Sequence, residues 1–365
     1  MDITTKRNVG KSRLQVTPLG FGGGTIGMGW ITNQASLDTV AAAWDTGVRF
    51  YDTAPFYGLG RSERRLGLAL AGIADRDQYR INTKIGKSLV PEPAEDKNAS
   101  SKTPSGSERT PRDPATGFRL QFDYTHDRIL EQHRDSLQRL GTSTVDSLTI
   151  HDLDYGYQTV ERAERHLDEL SRDGGGGAIA LETLRDEGRI QAIGCGCNLE
   201  SRNAYSWEDG AHERLSERIA DLVDLDLFTV AGGYTLLETR ALRRILPLCA
   251  ERGIGVIVAA PFAGGWLVSG DETSSYMYGR ASPEIVERSR RMRAICERHG
   301  VPLAAAALQF PLAHPAVAAV IPGARNPQEP RENHRLLHTE IPAAIWREFV
   351  AEGLLDPAAP TPDQV

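Results

Sequence analysis

The feature that most constrains the fold is a regular alternation of short β-rich runs with apolar-periodic helical segments along most of the 365-residue chain. Eight runs are predicted as strands: Leu19–Gly22, Arg49–Asp52, Arg80–Lys84, Val145–His151, Gln191–Cys195, Leu225–Val230, Gly255–Ala260 and Val317–Ile321. Helices are predicted between them at Ser36–Thr46, Ser62–Ala71, Arg128–Leu140, Ala178–Glu187, Arg240–Arg252, Pro283–His299 and Gln328–Leu336. Eight β-then-α units predict an α/β fold, a (β/α)8 TIM barrel, with functional residues at the carboxyl ends of its strands.

The predicted layout is one barrel domain over residues 1–355, followed by a flexible C-terminal tail at 356–365 that is rich in proline and alanine. Asn8–Thr17 predicts an N-terminal β-hairpin that turns at Gly10 and Lys11.

Two segments interrupt the alternation. A long insertion after the third predicted strand, residues 87–123, is rich in Ser, Pro and charged residues. It is either an ordered lid over the active face or a partly disordered loop, and the sequence leaves both alternatives open. The run Gly174–Gly177 predicts a flexible link between a short helix and the helix that follows.

Composition argues against several classes of function. The chain carries 42 Lys and Arg against 49 Asp and Glu, a net charge of −7, whereas a nucleic-acid-binding domain needs a basic face. Met1–Gly10 is polar and no run approaches 18 apolar residues, so we expect no signal peptide, no membrane segment and a cytoplasmic location. The four cysteines form no C-x-x-C pair and predict buried thiols rather than a metal site. The expected partner is a small-molecule substrate, and the oligomeric state stays open.

Four polar side chains stand at strand ends or in the loops that follow them: Asp52, Tyr57, Lys84 and His151. Lysine accounts for only six of the 42 cationic residues. A lysine in place of the usual arginine on a predicted strand therefore points to a specific role. In a barrel, these four side chains converge at one mouth. Each of them alone has a structural explanation, but together they favour a catalytic site.

The chemistry of such a group is that of an activated phenol. Tyrosine has an unperturbed pKa of about 10, too high for proton exchange near neutral pH. An adjacent ammonium lowers that pKa, and a carboxylate keeps the ammonium charged and oriented. An imidazole across the pocket can donate to the substrate oxygen.

A glycine-rich segment, Gly22–Gly27, matches the dinucleotide fingerprint G-x-G-x-x-G. That fingerprint should open a helix directly, but Met28–Asn33 intervenes before any helical pattern. We interpret it as a loop at the barrel mouth, in which Gly23 and Gly24 are predicted to contact a cofactor.

These motifs resemble the aldo-keto reductase superfamily. The segment Asp52–Gly58 (DTAPFYG), Lys84 after an apolar run and His151 at a strand end match its catalytic tetrad in order and context. The finer resemblance is to bacterial aldose 1-dehydrogenases of the L-fucose and D-threo-aldose type and to pyridoxal 4-dehydrogenase, through Ile150–Asp152, Ala231–Leu237 and Gly255–Gly265.

The resemblance implies a role for each residue of the tetrad. Tyr57 would be the general acid–base, Lys84 would lower its pKa, Asp52 would hold Lys84, and His151 would orient the substrate oxygen. Around the cofactor it implies contacts from Asp52, Asn198 (to the nicotinamide carboxamide), Pro261, Phe262, Gly323, Arg325, Glu329 and Asn333 (near the adenine).

Some positions depart from the family pattern. Cys197 and Ala231 replace a serine and a glutamine that contact the nicotinamide, and the usual stacking aromatic is absent unless Phe262 substitutes for it. Glu329 stands where the family binds the NADP 2′-phosphate with a cation, so NAD is favoured. Arg325 could still bind a phosphate, so NADP is not excluded.

The leading hypothesis is NAD-dependent oxidation of an aldose hemiacetal at C1 to the lactone. The alternatives are oxidation of pyridoxal, NADPH-dependent reduction of an aldehyde or ketone, and a non-catalytic role as a cofactor-sensing binding subunit.

Overall fold

The structure, a computed structural model, describes residues 3–92, 112–113, 116–155, 158–199, 210–270, 276–277 and 279–364. Its strands in chain order are β1 Arg7–Asn8, β2 Gln15–Val16, β3 Phe21–Gly22, β4 Phe50–Asp52, β5 Arg80–Ile85, β6 Lys87–Pro91, β7 Arg112–Asp113, β8 Phe118–Phe122, β9 Ser147–His151, β10 Ala192–Asn198, β11 Leu227–Ala231, β12 Gly255–Ala259 and β13 Val317–Ile321. Its α-helices are α1 Asn33–Asp45, α2 Arg61–Ala71, α3 His126–Leu140, α4 Val160–Leu170, α5 Gly177–Asp186, α6 Ala211–Leu222, α7 Ile245–Arg252, α8 Pro283–Arg298, α9 Leu303–Gln309, α10 Gln328–Leu337 and α11 Ala343–Ala351.

Eight parallel strands form the barrel in the order β3-β4-β5-β9-β10-β11-β12-β13. Parallel bridges from Leu19 to Val320 and from Gly22 to Gly323 join the first strand to the last and close the sheet. The predicted TIM barrel is therefore confirmed, and each of the eight predicted strands contains or overlaps one of the strands observed.

The predicted N-terminal hairpin is also confirmed, because β1 and β2 pair antiparallel. Val9, Leu14 and Val16 from this hairpin are buried in one cluster with side chains at the amino ends of the barrel strands and within the barrel, including Ala192, Leu227, Ile257 and Ala319. Burying an aliphatic side chain of this size stabilises the fold by roughly 1.5–3 kcal/mol. The hairpin thus plugs the end of the barrel opposite to the mouth.

The helix predictions agree with the structure to within a few residues, with one exception. The predicted helix Arg240–Arg252 is divided into a 3₁₀ turn at Arg240–Leu242 and α7, which carries Pro247 in its first turn, where its missing N–H is tolerated. Three observed helices, α6, α9 and α11, were not predicted from the sequence. In α9 all residues from Leu303 to Leu308 are buried, so there is no polar face to give a periodic signal. No helix in the described ranges is long and apolar enough to cross a membrane.

The insertion after β5 begins and ends as a small antiparallel sheet. β6 pairs with β8 from Lys87–Phe122 to Pro91–Phe118, and β7 pairs with the other edge of β8. Both ends of the insertion are therefore anchored beside the barrel mouth. Residues 93–111 and 114–115, on which the choice between lid and loop depends, lie outside the described residues.

The prediction of a flexible link at Gly174–Gly177 is wrong. The amides of Gly175 and Gly176 donate to the carbonyl oxygens of Asp168 and Ser171 at 2.9 and 2.7 Å. A Cβ on Gly177 would overlap the carbonyl oxygen of Tyr124. The glycines permit a tightly packed turn between α4 and α5, and it is this close approach, not flexibility, that requires residues without side chains.

The segment 356–365, predicted as a flexible tail, buries two of its side chains in the structure, Ala359 and Thr361. The Thr361 hydroxyl donates to the carboxylate of Asp363 at 2.6 Å, and Pro362–Gln364 forms a 3₁₀ turn.

Candidate active site

Asp52 and Lys84 form a buried ion pair at the mouth of the barrel. Asp52 is the last residue of β4 and Lys84 lies near the end of the neighbouring β5. The Lys84 Nζ donates to Asp52 Oδ2 at 2.6 Å and to the carbonyl oxygen of Thr53 at 2.8 Å. Burial lowers the pKa of Lys84, and the Asp52 carboxylate opposes that shift. The pair is the carboxylate-held cation that the sequence predicted.

A polar layer inside the barrel supports this pair. Asn82 lies two residues before Lys84 and donates from Nδ2 to Asp52 Oδ1 at 2.7 Å. Its Oδ1 accepts hydrogen bonds from the hydroxyls of Ser147 and Thr149 on β9, at 2.8 and 2.9 Å. These residues were not predicted from the sequence. A signal was present, because Asn82 and Lys84 lie on the same face of a strand.

Tyr57 lies in the loop between β4 and α2, half-buried above the ion pair. Its amide donates to the carbonyl oxygen of Ala54, and its own carbonyl oxygen accepts from the amide of Ser62, both at 3.1 Å. The Nζ of Lys84 is 4.7 Å from the centroid of the Tyr57 ring. The phenol and the buried cation are therefore neighbours.

His151, the last residue of β9, completes the group. Its ring meets that of Tyr57 edge-on at a centroid distance of 5.8 Å, and that of Phe56 at the same distance. The hydroxyl of Tyr124 donates to the His151 carbonyl oxygen at 2.8 Å. Burial lowers the pKa of His151 well below its usual range, so the imidazole is neutral near pH 7. The structure therefore brings all four predicted side chains together.

A second buried ion pair, which the sequence analysis missed, joins Lys87 to Asp152 beside His151. Asp152 Oδ1 accepts a hydrogen bond from Asn198 Nδ2 at 2.9 Å, and the same nitrogen donates to Asp154 Oδ2 at 2.8 Å. Burial, and the nearby carboxylate of Asp152, raise the pKa of Asp154. Lys87 was placed at the start of the insertion, and nothing in its sequence context pointed to an ion pair with Asp152.

The predicted glycine-rich loop lies at the mouth and not at the start of a helix. Its second half, Thr25–Gly27, forms a 3₁₀ turn, and α1 begins only at Asn33. The Gly23 amide donates to the Asp52 carbonyl oxygen at 2.7 Å. A Cβ on Gly24 would stand 3.9 Å from the Tyr57 ring. Gly23 and Gly24 therefore border the site as expected.

The remaining predicted cofactor residues lie around the far side of the mouth. Pro261 is buried and Phe262 is half-buried, just after β12. Gly323, after β13, is bridged to Gly22, and Asn333 is buried on α10. The structure therefore places these residues along the rim that runs from β12 to α10.

An ion pair also lies on this rim. Glu329 accepts hydrogen bonds from the amide and the Nε of Arg325, at 2.7 and 2.8 Å. The Glu329 carboxylate thus pairs with the Arg325 guanidinium, which could otherwise bind a phosphate.

This geometry can be compared with known proteins. The profile of the Aldo/keto reductase family matches residues 18–351. The chain is 36% identical to pyridoxal 4-dehydrogenase of Microbacterium luteolum, over 97% of this chain and 99% of that protein. It is 35% identical to D-threo-aldose 1-dehydrogenase of a Pseudomonas species, over 96% of each chain. The chain belongs to the aldo/keto reductase family. It is therefore an oxidoreductase of the class that uses NAD(P)(H).

Solved aldo/keto reductases have the same fold. The structure superposes on an aldo-keto reductase from Bacillus halodurans with a TM-score of 0.68 at 23% identity, covering 99% of this chain and 100% of that one. For this aldo/keto reductase, the roles of the individual site residues stay predictions.

Proposed function

We propose that the protein oxidises the C1 carbinol of an aldose, in its cyclic hemiacetal form, to the lactone with NAD as the hydride acceptor. The observation that carries this proposal is the contact of Tyr57 with the buried Lys84–Asp52 pair on one side and with the neutral imidazole of His151 on the other. A phenol in that position can exchange a proton with a substrate oxygen held by the imidazole.

Each residue would have one task in this reaction. His151 would hold the C1 hydroxyl oxygen in the mouth, and Tyr57, as the phenolate, would accept its proton. Lys84 would stabilise the phenolate by its charge, and Asp52, fixed by Asn82, would keep the ammonium in place. The substrate loses one hydride and one proton, so the products are the lactone, a reduced cofactor and a protonated Tyr57.

The rim residues fit a dinucleotide. Gly23 and Gly24 leave room beside the Tyr57 ring that a side chain at Gly24 would narrow. The Asn198 side chain can bind a carboxamide next to His151, and Gly323, Arg325, Glu329 and Asn333 would hold the rest of the molecule. Bound NAD would supply the hydride-accepting ring.

The preference for NAD over NADP is supported by Glu329. Its carboxylate would accept a hydrogen bond from a ribose hydroxyl but would repel a 2′-phosphate. Arg325 pairs with Glu329 through its backbone and its side chain, so a phosphate would have to compete with an existing partner.

Pyridoxal is a second candidate substrate, favoured by the 36% identity to pyridoxal 4-dehydrogenase. An aldose and pyridoxal share one property, an aldehyde with a hydroxyl placed to close a cyclic hemiacetal. Transfer of a proton to Tyr57 and of a hydride to NAD would convert either hemiacetal to a lactone.

The test is a panel of aldoses that includes L-fucose, together with pyridoxal and a simple aldehyde, followed as reduced nicotinamide at about 340 nm. We expect an aldose to reduce NAD faster than NADP. Turnover of pyridoxal with no aldose active would transfer the proposal to the second candidate. Reduction of aldehydes by NADPH as the fastest reaction would contradict both.

The matched control for this panel is Tyr57→Phe, which keeps the ring and removes the hydroxyl. We expect kcat to fall by about 10³-fold or more with the dissociation constant for NADH nearly unchanged, because the phenol acts on the substrate. Near wild-type turnover by this variant would refute the assignment of Tyr57.

A further inference from the structure

Lys87 and Asp152 form an ion pair that the four predicted catalytic residues do not account for. Lys87 is only 1% exposed, and its Nζ lies 4.1 Å from the centroid of the Phe56 ring. Phe56 in turn contacts His151. Burying two charges costs desolvation energy, so a buried ion pair often adds no net stability to the fold. Its position beside the mouth calls for a reason other than packing.

The backbone at Asp152 is strained. Its φ is +50°, in the left-handed region that costs a residue with a Cβ on the order of 1 kcal/mol or more. This conformation turns the chain immediately after β9 and places the carboxylate among Lys87, His151 and Asn198. Strained residues persist where the surrounding contacts hold them, and such positions cluster at functional sites.

The Asp152 carboxylate faces one nitrogen of His151 and favours a proton on it. Asp152 Oδ2 is 3.3 Å from His151 Nε2, while Nδ1 is buried and has no hydrogen-bond partner among the described residues. A carboxylate can only accept, so a neutral imidazole in this contact carries its hydrogen on Nε2. At 3.3 Å the contact is electrostatic, and the Nε2 hydrogen stays available to an incoming oxygen.

Asp152 and Asp154 together determine the orientation of Asn198. Both carboxylates accept from Nδ2 of this side chain, at 2.9 and 2.8 Å. With the nitrogen held by two acceptors, the carbonyl oxygen of Asn198 is the atom left to accept from a ligand.

We propose that Asp152 is a positioning residue that holds the imidazole of His151 and the amide of Asn198 in their working orientations, and that the ammonium of Lys87 anchors it. The proposal rests on the proposed function for the roles of His151 and Asn198. It couples the group that orients the substrate oxygen to the group that binds the cofactor amide through one carboxylate.

Asp152→Asn tests the carboxylate without disturbing the backbone. Asparagine has the same size and tolerates the left-handed region. Its amide has one acceptor and one donor end, whereas Asp152 accepts on both sides. Whichever way the new amide turns, its N–H group faces either Asn198 or the Lys87–His151 side. The orientation of either the Asn198 amide or the His151 imidazole is then no longer held.

Substitutions at three buried carboxylates should change kcat and cofactor affinity to different extents. Asp152→Asn should lower kcat by about 10- to 100-fold and raise the dissociation constant for NADH by about 5- to 10-fold. Asp154→Asn alters one of the two acceptors that hold Asn198, so it should raise the dissociation constant for NADH and lower kcat less than Asp152→Asn does. Asp226→Asn is the matched control. Asp226 is also buried and paired with an arginine, Arg185, but it precedes β11 at the opposite end of the barrel.

A second variant separates positioning from stability. Asp152→Asn leaves the Lys87 ammonium buried without its carboxylate, and this alone could lower the midpoint of unfolding. Combining it with Lys87→Met removes both charges and should restore the midpoint. We expect kcat and NADH affinity to stay at the level of Asp152→Asn in this double variant.

Two outcomes would overturn the proposal: wild-type kcat and NADH affinity in Asp152→Asn, or recovery of both together with stability in the double variant. NADH binding is followed by fluorescence titration and needs no substrate. If the wild type oxidises neither aldoses nor pyridoxal, the proposed function fails, yet the affinity shifts in the variants at 152 and 154 still test the orientation of Asn198.

Discussion

The two sides of the barrel mouth differ in how their charges are held. On the side of β4, β5 and β9, Asp52, Lys84 and His151 are buried and each has a partner within the barrel. On the side of β13, Arg325 and Glu329 are 65% and 27% exposed and pair with one another. A buried charge that loses its partner destabilises the fold strongly, whereas an exposed pair contributes little. The predicted catalytic side is therefore tied to folding, and the side predicted to set cofactor preference is not.

The largest expected effect comes from breaking the buried side with Lys84→Met. We expect kcat to fall by about 10²–10⁴-fold, because the phenolate loses its cation. The free energy of unfolding should fall by about 3–5 kcal/mol, because the Asp52 carboxylate stays buried without its ion pair. Steady-state kinetics and urea unfolding measure the two effects.

The double variant Asp52→Asn with Lys84→Met separates the two effects. Asparagine at 52 carries no charge, so most of the lost stability should return while kcat stays low. A double variant as unstable as Lys84→Met alone would show that packing of the lysine side chain, not the uncompensated carboxylate, explains the loss.

An intermediate effect is expected on lowering the pH. Burial lowers the pKa of His133, on α3, to about 4, against about 6.5 in the unfolded chain. The unfolded state therefore binds more protons between these values, so stability is lost as the pH falls from 6.5 towards 4. His151, whose pKa is also lowered, acts in the same direction.

Unfolding midpoints at pH 7 and pH 5 test this prediction. His133→Gln should remove about 1–2 kcal/mol of the wild-type loss between these pH values. Glu329→Gln, a change on the exposed side, should lose as much stability as the wild type. Equal losses in His133→Gln and the wild type would mean that His133 is protonated in the folded state.

The smallest effect is expected from Glu329→Arg on the exposed side. The unfolding midpoint should stay within error, since the pair it breaks is solvated. The ratio of the NADH to the NADPH dissociation constant should shift by about tenfold towards NADPH, because a carboxylate is replaced by a phosphate-binding cation. An unchanged ratio would place the 2′ position of the cofactor elsewhere.

The sequence was sufficient for the barrel and for the four predicted catalytic side chains. The alternation of β-rich runs with apolar-periodic helices located the elements, and Asp52, Lys84 and His151 stand at strand ends, which a barrel brings to one mouth. These inferences depend only on local pattern and on a closed topology.

The second ion pair could not be predicted in the same way. Lys87 follows a turn at Gly86, and its distance from Asp152 depends on how the insertion folds back onto the barrel. The backbone of Asp152 is set by tertiary contacts that no local pattern reports. The turn at Gly174–Gly177 was misjudged for a similar reason, because close packing and flexibility both select glycine.

Gly86 stands between the two lysines of the mouth with a φ of +98°, and its amide donates to Gln132 Oε1 at 2.6 Å. A Cβ at this position would overlap the ring of Tyr124, whose hydroxyl bonds the backbone of His151. A methyl group added at Gly86 would therefore displace the ammonium groups of Lys84 and Lys87 and also the imidazole of His151. An alanine at position 86 should thus impair both the fold and the predicted catalytic group, although the residue itself has no predicted contact with a substrate.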